Sequence, residues 1–144
     1  MAIEVLGIHH HATRIDADKA AAVAKFYKDV LGLGADPGRP TIPGVPGFWI
    51  NVGDGGQIHL IGGAQPSTLA KGPGQDPTIP HVALAVADIQ ATKVELARLG
   101  VKYWSMTGIN GPAAEQVFIN DPSGNMVELH QVDQCRCAAE GRGE

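Results

Sequence analysis

The sequence has few of the residues that mark secreted, membrane-spanning or nucleic-acid-binding proteins. Its 144 residues include two cysteines, 5% aromatic residues and a net charge of −4. Two cysteines give no disulfide framework, and a net negative charge gives no basic surface for nucleic acid. No apolar run approaches the roughly 18–20 residues that cross a bilayer, and the start MAIEVLG lacks the regions of a signal peptide. We therefore expect a cytoplasmic protein that binds neither nucleic acid nor membrane.

The remaining composition is that of an ordinary globular protein. Apolar residues make up 44% and charged residues 18% of a chain whose length suits one domain. The 19 glycines and 10 prolines indicate many turns between short elements. Cys135 and Cys137 form a lone C-x-C in a polar tail, which is a weak signal for a metal or redox site. We expect one domain over residues 1–132 and a disordered tail over 133–144.

The first half of the chain predicts a strand, a helix and a hairpin. Residues 4–15 are strand-like, and Ala22, Phe26, Val30 and Leu31 recur at helical spacing in the segment that follows. Asp16 or Asp18 is expected to cap that helix, and Gly32 or Gly34 to end it. Two strands are then predicted around the turn GDGG, with the sequences FWINV and QIHLI.

The second half repeats this order. A strand HVALAV precedes a helix DIQATKVELARLG, which Asp88 is expected to cap and Gly100 to end. Three further strands are predicted, with the sequences VKYWSM, EQVFIN and MVELHQ. Each half therefore consists of a strand, a helix and two or three more strands.

The repeat aligns four residues of the types that bind metals. When IHHHATRI is laid over IPHVALAV, His10 falls on His81 at an offset of 71. When INVGDGGQIHLI is laid over INDPSGNMVELH, His59 falls on Glu128 at an offset of 69. A lone histidine in a strand is usually structural, but four such residues at two pairs of equivalent positions point to a shared site. Three imidazoles and one carboxylate suit Fe, Mn, Co, Ni or Zn, and suit Ca or Mg poorly.

At these residues the chain resembles the vicinal oxygen chelate superfamily, which includes glyoxalase I, extradiol dioxygenases and bleomycin resistance proteins. The resemblance runs over residues 4–132 and is carried by IHHHATRI, FYKDVLGLG, IPHVALAV and FINDPSGNMVELHQ. It implies an α+β fold of two βαβββ modules, related by a pseudo-two-fold axis and forming a cupped mixed sheet around a metal. Module one would cover 4–62, the linker 63–78 and module two 79–132. The resemblance also implies a homodimer that acts on a small molecule.

The same resemblance implies the ligands and two alternative reactions. The ligands would be His10, His81 and Glu128, with His59 at a fourth position where many glyoxalases have a carboxamide or carboxylate. In glyoxalase-type isomerase or lyase chemistry, Glu128, alone or together with His59, would move a proton beside a carbonyl. In an extradiol dioxygenase, His59 would instead be an acid–base residue beside a two-His-one-carboxylate metal. A metal-free ligand-binding protein is the third alternative.

Substrate contacts are expected from one arginine and three aromatic residues. Arg14 holds the position at which glyoxalase I binds the carboxylate of glutathione, although an arginine on a strand can equally face solvent. Trp49, Tyr103 and Trp104 are expected to wall the cavity or to belong to the core. Strand alternation places His9 and His11 on the face opposite His10.

Overall fold

Seven strands form one mixed sheet in the computed structural model, which describes residues 3–134. The strands lie across the sheet in the order β2-β3-β1-β4-β7-β6-β5. The first half contributes β1 (Val5–Arg14), α1 (Ala20–Leu31), β2 (Gly47–Val52) and β3 (Gly56–Ile61). The second half contributes β4 (His81–Val86), α2 (Ile89–Arg98), β5 (Trp104–Thr107), β6 (Glu115–Asn120) and β7 (Met126–Gln131). Short 3-10 turns cover Ala17–Lys19 and Val132–Gln134.

The two halves pair their strands in the same way, which confirms the predicted α+β fold. In each half the opening strand pairs in parallel with the closing strand, as β1 does with β3 and β4 with β7. The first half nevertheless lacks the strand that corresponds to β5, and only an isolated bridge joins Ala35 to Ile50. The four prolines in residues 37–46 explain the loss, because proline has no N–H to donate to a strand ladder. The sheet stays open, with seven strands in place of eight.

The two halves meet where β1 and β4 pair antiparallel, and β1 is irregular there. Its register shifts twice, between Val5 and Gly7 and again between Ile8 and His10. A bulge inserts one residue into a strand and interrupts the alternation of its side chains. His9 and His10 are therefore both buried, at 2% and 3% exposure, and line the same cavity. The expectation that His9 faces away from His10 is wrong, whereas His11 is exposed.

Helix α2 packs its apolar face on the second half of the sheet. Asp88 caps it as predicted, since its side chain accepts a hydrogen bond from the backbone N–H of Ala91 at 2.9 Å. Ile89 and Leu96 are buried in a cluster with strand residues of the second half, namely Val86, Val117 and Leu129. Full burial of a leucine contributes about 1.5–3 kcal/mol. This packing fixes β7, which carries Glu128.

Helix α1 differs, because none of its residues is buried by the described part of the chain. Phe26, Val30 and Leu31 are 52%, 64% and 53% exposed. The helix ends as predicted at Gly32, which adopts a left-handed conformation (φ 70°). Neither predicted aspartate caps it, because the 3-10 turn Ala17–Lys19 precedes the helix and places Lys19 at the cap position without a side-chain bond. The predicted helix is confirmed, but its apolar residues Phe26, Val30 and Leu31 stay exposed in the part of the chain that the structure describes.

The long connection between the halves is organised by a buried carboxylate. Asp76 accepts hydrogen bonds from the backbone N–H and the hydroxyl of both Ser67 and Thr78, at 2.7–2.9 Å. Burial alone would raise the pKa of Asp76, but these hydrogen bonds outweigh it and lower the pKa below its usual value. The connection is thereby held against the sheet, and Thr78 reaches the cavity described below.

No helix among residues 3–134 is long and apolar enough to cross a membrane. Of the predicted tail, Asp133 and Gln134 lie in the 3-10 turn after β7. The rest of it, with Cys135 and Cys137, lies outside the described residues.

Candidate metal centre

Three buried side chains from three adjacent strands converge on one point. His10 lies on β1, His81 on β4 and Glu128 on β7, and one ligand atom of each lies within 4.8 Å of the others. The Nε2 atoms of His10 and His81 are 3.3 Å apart, and the Oε1 atom of Glu128 lies 3.6 Å and 3.1 Å from them respectively. The structure thus brings together three of the residues that the repeat alignment singled out.

Two small residues make room for this convergence. Ala83 is the cross-strand partner of both His10 and Glu128, and Ala12 is the partner of both His81 and His59. Both alanines have 0% exposure and stand at equivalent positions of the two halves. Direct partners on neighbouring strands share a face of the sheet. A methyl group at each of these positions leaves the space that the larger neighbouring side chains occupy.

His81 is oriented as a metal-binding histidine. Its Nδ1–H donates to the backbone carbonyl of Ile79 at 2.6 Å, and its Nε2–H donates to Glu128, so Nε2 is the nitrogen that would give its lone pair to a metal on loss of that proton. A backbone carbonyl is a common partner for the second nitrogen of a ligating histidine. Burial would lower the pKa of His81, but the hydrogen bond and charge of Glu128 outweigh burial and raise it.

Glu128 is the one carboxylate of the cluster. Burial would raise its pKa, yet the hydrogen bond and charge interaction with His81 outweigh burial and hold the pKa below the usual value. Its second oxygen, Oε2, accepts a hydrogen bond from the side-chain amide of Gln116 at 3.3 Å. The carboxylate is therefore ionised, and its position is fixed from two sides.

His10 is held by its own neighbour. The Nδ1 atoms of His9 and His10 are 2.7 Å apart, which is a hydrogen bond in which one ring donates and the other accepts. If Nε2 of His10 carries a lone pair toward His81 and Glu128, then its Nδ1–H donates to His9. Burial lowers the pKa of His9 to about 3 and that of His10 well below its usual value. Both rings are therefore neutral, which is the state that a metal ligand requires.

His59 lies beside the cluster but outside it. Its ring stacks on the ring of His10, with centroids 3.7 Å apart. It also stacks on the ring of Trp49, with centroids 4.6 Å apart. Its Nε2 lies 2.9 Å from Oε1 of Gln57, whose amide nitrogen donates to Asp36 and Asn51. The amide oxygen of Gln57 can only accept, so Nε2 of His59 carries the proton. Burial lowers the pKa of His59 well below its usual value, and its Nδ1 is left with the lone pair.

The donor set of the cluster fits a divalent first-row transition metal. Two imidazole nitrogens and one carboxylate oxygen face one another at 3.1–3.6 Å among side chains that are 2–6% exposed. Buried lone pairs at such distances need a cation or a proton between them. Two imidazole nitrogens and one carboxylate form the facial triad that leaves further positions open.

The cluster forms one wall of a cavity of about 60 Å³. Both long loops reach this cavity. The loop 37–46 contributes Arg39, Ile42 and Val45, and the loop 62–80 contributes Leu69, Pro77 and Thr78. His9, Gln116 and His130 also line it, and each has a buried polar atom without a partner among the described residues. Sequence reasoning missed Gln116 and His130, and it placed His9 on the opposite face of β1. Only His130 had a signal, because it lies two residues after Glu128 on one strand and therefore on the same face.

The predicted substrate contacts are only partly brought to the cavity. Trp49 lines it, but Arg14, Tyr103 and Trp104 do not. Arg14 donates to the backbone carbonyls of Gly62 and Gly63, on a separate surface of the first half. Trp104 instead stacks on Phe118 with ring centroids 4.1 Å apart.

A protein-family model matches most of the chain. The model described as the glyoxalase/bleomycin resistance protein/dioxygenase superfamily matches residues 7–129. A protein of Arabidopsis thaliana called glyoxylase I 4 is 28% identical over 113 residues, which are 78% of this chain and 61% of that protein. The chain thus spans about three fifths of the length of that relative.

Solved structures show the same fold. Methylmalonyl-CoA epimerase from Mycobacterium tuberculosis superposes with a TM-score of 0.69 at 23% identity, covering 91% of each chain. A variant of the Streptomyces coelicolor methylmalonyl-CoA epimerase, in complex with 2-nitronate-propionyl-CoA, gives 0.68 at 18% identity. That superposition covers 89% of this chain and 98% of the other.

Proposed function

Because the chain belongs to the glyoxalase/bleomycin resistance protein/dioxygenase superfamily, we propose that it is a metal-dependent enzyme of the glyoxalase type. Its substrate is a small molecule that chelates a divalent transition metal through vicinal oxygens, and the reaction is an isomerisation or lyase step. The convergence of His10, His81 and Glu128 beside a cavity is the observation that carries this proposal. The glyoxalase and epimerase names of the similar proteins favour this reaction type.

In this proposal His10, His81 and Glu128 hold the metal, which is Fe, Mn, Co, Ni or Zn. A bound divalent ion would stabilise negative charge on the chelated oxygens of the substrate. His9 and the carbonyl of Ile79 keep the two imidazole rings in the orientation that binding needs.

His59 is the proposed base that moves a proton on the substrate. It lines the cavity and stacks on His10, and its Nε2–H is committed to Gln57, so its Nδ1 has the available lone pair. A neutral imidazole of this kind can accept a proton from a carbon beside a carbonyl. Glu128 remains the alternative base, although His81 and Gln116 already engage its oxygens.

The test combines metal analysis with proton exchange. We expect the purified, reconstituted protein to hold Ni, Co, Mn or Zn at one equivalent per site. We also expect the loaded protein to act on hemithioacetals of 2-oxoaldehydes and, in D2O, to place solvent deuterium on the carbon beside the carbonyl. His59→Gln should slow that exchange by about 100-fold or more, the usual contribution of a general base, and should leave the metal content unchanged. A protein that binds no metal after reconstitution contradicts the proposal and favours a metal-free binding protein.

A ring-cleaving dioxygenase is the second candidate. It is favoured by the cluster itself, because two histidines and one carboxylate, with His59 outside, are the ligands of non-haem Fe(II) oxygenases. Bound Fe(II) with oxygen uptake on catechols, and no action on hemithioacetals, would select this reaction over the first.

We also propose that two copies of the chain pair through α1. Phe26, Val30 and Leu31 expose apolar surface on this helix, and exposed apolar patches mark interaction surfaces. We expect light scattering to give twice the mass of one chain, and Phe26→Glu to give the monomer mass. The matched control is Val94→Glu on α2, where Val94 is 71% exposed; this variant should remain dimeric. A monomeric parent protein, or a dimer that Phe26→Glu leaves intact, contradicts pairing through α1.

A further inference from the structure

Arg39 is a half-buried cation that has no ion-pair partner within residues 3–134. Its guanidinium donates to the backbone carbonyls of Pro40 at 3.3 Å and Val45 at 2.8 Å. A guanidinium has five N–H donors, and the buried Nε–H has no partner in the described part of the chain. Among the described residues no carboxylate forms an ion pair with Arg39, so its positive charge faces two carbonyl dipoles and the ring of Trp49.

This cation stands on the wall of the cavity that contains the candidate metal centre. Arg39 and His59 both line the cavity, and the guanidinium carbon lies 5.9 Å from the ring centroid of Trp49. Trp49 in turn stacks on His59, so the arginine is separated from the cluster by two rings. Two apolar residues of the same loop, Ile42 and Val45, also line the cavity. A charge in such surroundings attracts an anion more strongly than a solvated surface charge does.

We propose that Arg39 binds a carboxylate of the substrate, at a subsite separate from the oxygens that chelate the metal. The substrate is then an acid with two anionic ends, of which one chelates and the other pairs with the guanidinium. A planar carboxylate matches the geometry of the arginine fork. This inference extends the proposed function, because the chelating end of the substrate rests on it.

The other arginine near the first half does not offer the same site. Arg14 uses its guanidinium on the carbonyls of Gly62 and Gly63 and lies outside the cavity. Arg39 and not Arg14 is therefore the arginine placed to recognise the anion, although no sequence motif pointed to it.

The experiment compares acids that differ only in the far end. Binding of 2-oxoglutarate and of 2-oxovalerate is measured by calorimetry, and likewise binding of 2-oxoadipate and of 2-oxohexanoate, on both metal-loaded and metal-free protein. We expect at least one dicarboxylate to bind tenfold or more tightly than its monocarboxylate partner. Arg39→Gln should remove this preference, and Arg39→Lys should retain part of it. Lys102→Gln makes the same charge change at an exposed position and should retain the whole preference.

The outcomes separate this inference from the proposed function. Metal content is measured for every variant, and Arg39→Gln should match the parent protein. If the protein binds no metal, the proposed function fails, and the comparison on metal-free protein still decides the role of Arg39. The inference is overturned if the parent protein does not prefer dicarboxylates. It is also overturned if the preference for dicarboxylates survives in Arg39→Gln. A preference lost instead in Arg14→Gln also overturns it.

Discussion

Replacement of Glu128 by glutamine is expected to weaken binding of a divalent transition metal by about 100-fold or more. Structural zinc sites with four ligands bind with roughly 10–16 kcal/mol, which is about 3 kcal/mol per ligand, and Glu128 is the one anionic member of the cluster. Glutamine keeps the shape of the side chain and an oxygen near His81, so the fold should survive. Competition with a chromogenic chelator measures the affinity for Zn or Ni.

A matched control comes from the neighbouring histidine. His11 is exposed and lies one residue from His10 on β1, so His11→Gln should bind metal as the parent protein does. His81→Ala should weaken binding as much as Glu128→Gln does. Equal affinity in Glu128→Gln and in the parent protein would show that the metal, if bound, lies elsewhere. A loss in His11→Gln would show that the assay reports nonspecific surface binding.

The repeat in the sequence predicted the centre of the site because side-chain direction in strands follows register. His10 and His81 occupy equivalent positions of the two opening strands, and these strands pair antiparallel in the middle of the sheet. Glu128 then follows from the parallel pairing of β4 with β7. Two pairs of repeat-equivalent residues were therefore enough to place three strands around one point.

The irregularities of the backbone could not be predicted in this way. The register shift between Ile8 and His10 turns His9 into the cavity, where alternation had placed it outside. Nothing in HHH indicates a bulge, because any of the three histidines could be the inserted residue. Simple alternation therefore assigns His9, the hydrogen-bond partner of His10, to the opposite face of the sheet.

Side-chain orientation was the second limit. The alignment placed His59 among the four residues of one shared site, but it could not show which ring nitrogen faces Gln57. That choice is set by Asp36 and Asn51, which accept from the amide of Gln57 and so turn its oxygen toward His59. Gln57 lies two residues before His59 on one strand, so alternation places both on one face; Asp36 lies in a loop whose path the sequence does not give.

Phe118, which was not among the residues that the sequence pointed to, supports the part of the site that lies in the second half of the chain. Phe118 has 0% exposure and is the cross-strand partner of Glu128. Its ring stacks on Trp104 at 4.1 Å and meets His81 edge to face at 6.1 Å. Met106 and Met126 complete the cluster around it. Phe118 therefore packs against two of the three candidate ligands, His81 and Glu128.

Phe118→Ala is expected to lower the free energy of unfolding by about 3–5 kcal/mol, the usual cost of removing a buried phenylalanine ring and leaving a cavity. Urea unfolding of the metal-free protein, followed by circular dichroism, measures it, and Tm should fall by roughly 10 °C. Phe118→Leu retains much of the volume and should cost clearly less. Val94→Ala, at a 71% exposed position of α2, should change stability by less than about 1 kcal/mol. If Phe118→Ala were as mild as Val94→Ala, the ring would not support the fold, and the rigidity of the site would have to come from the hydrogen bonds of His81 and Glu128 alone.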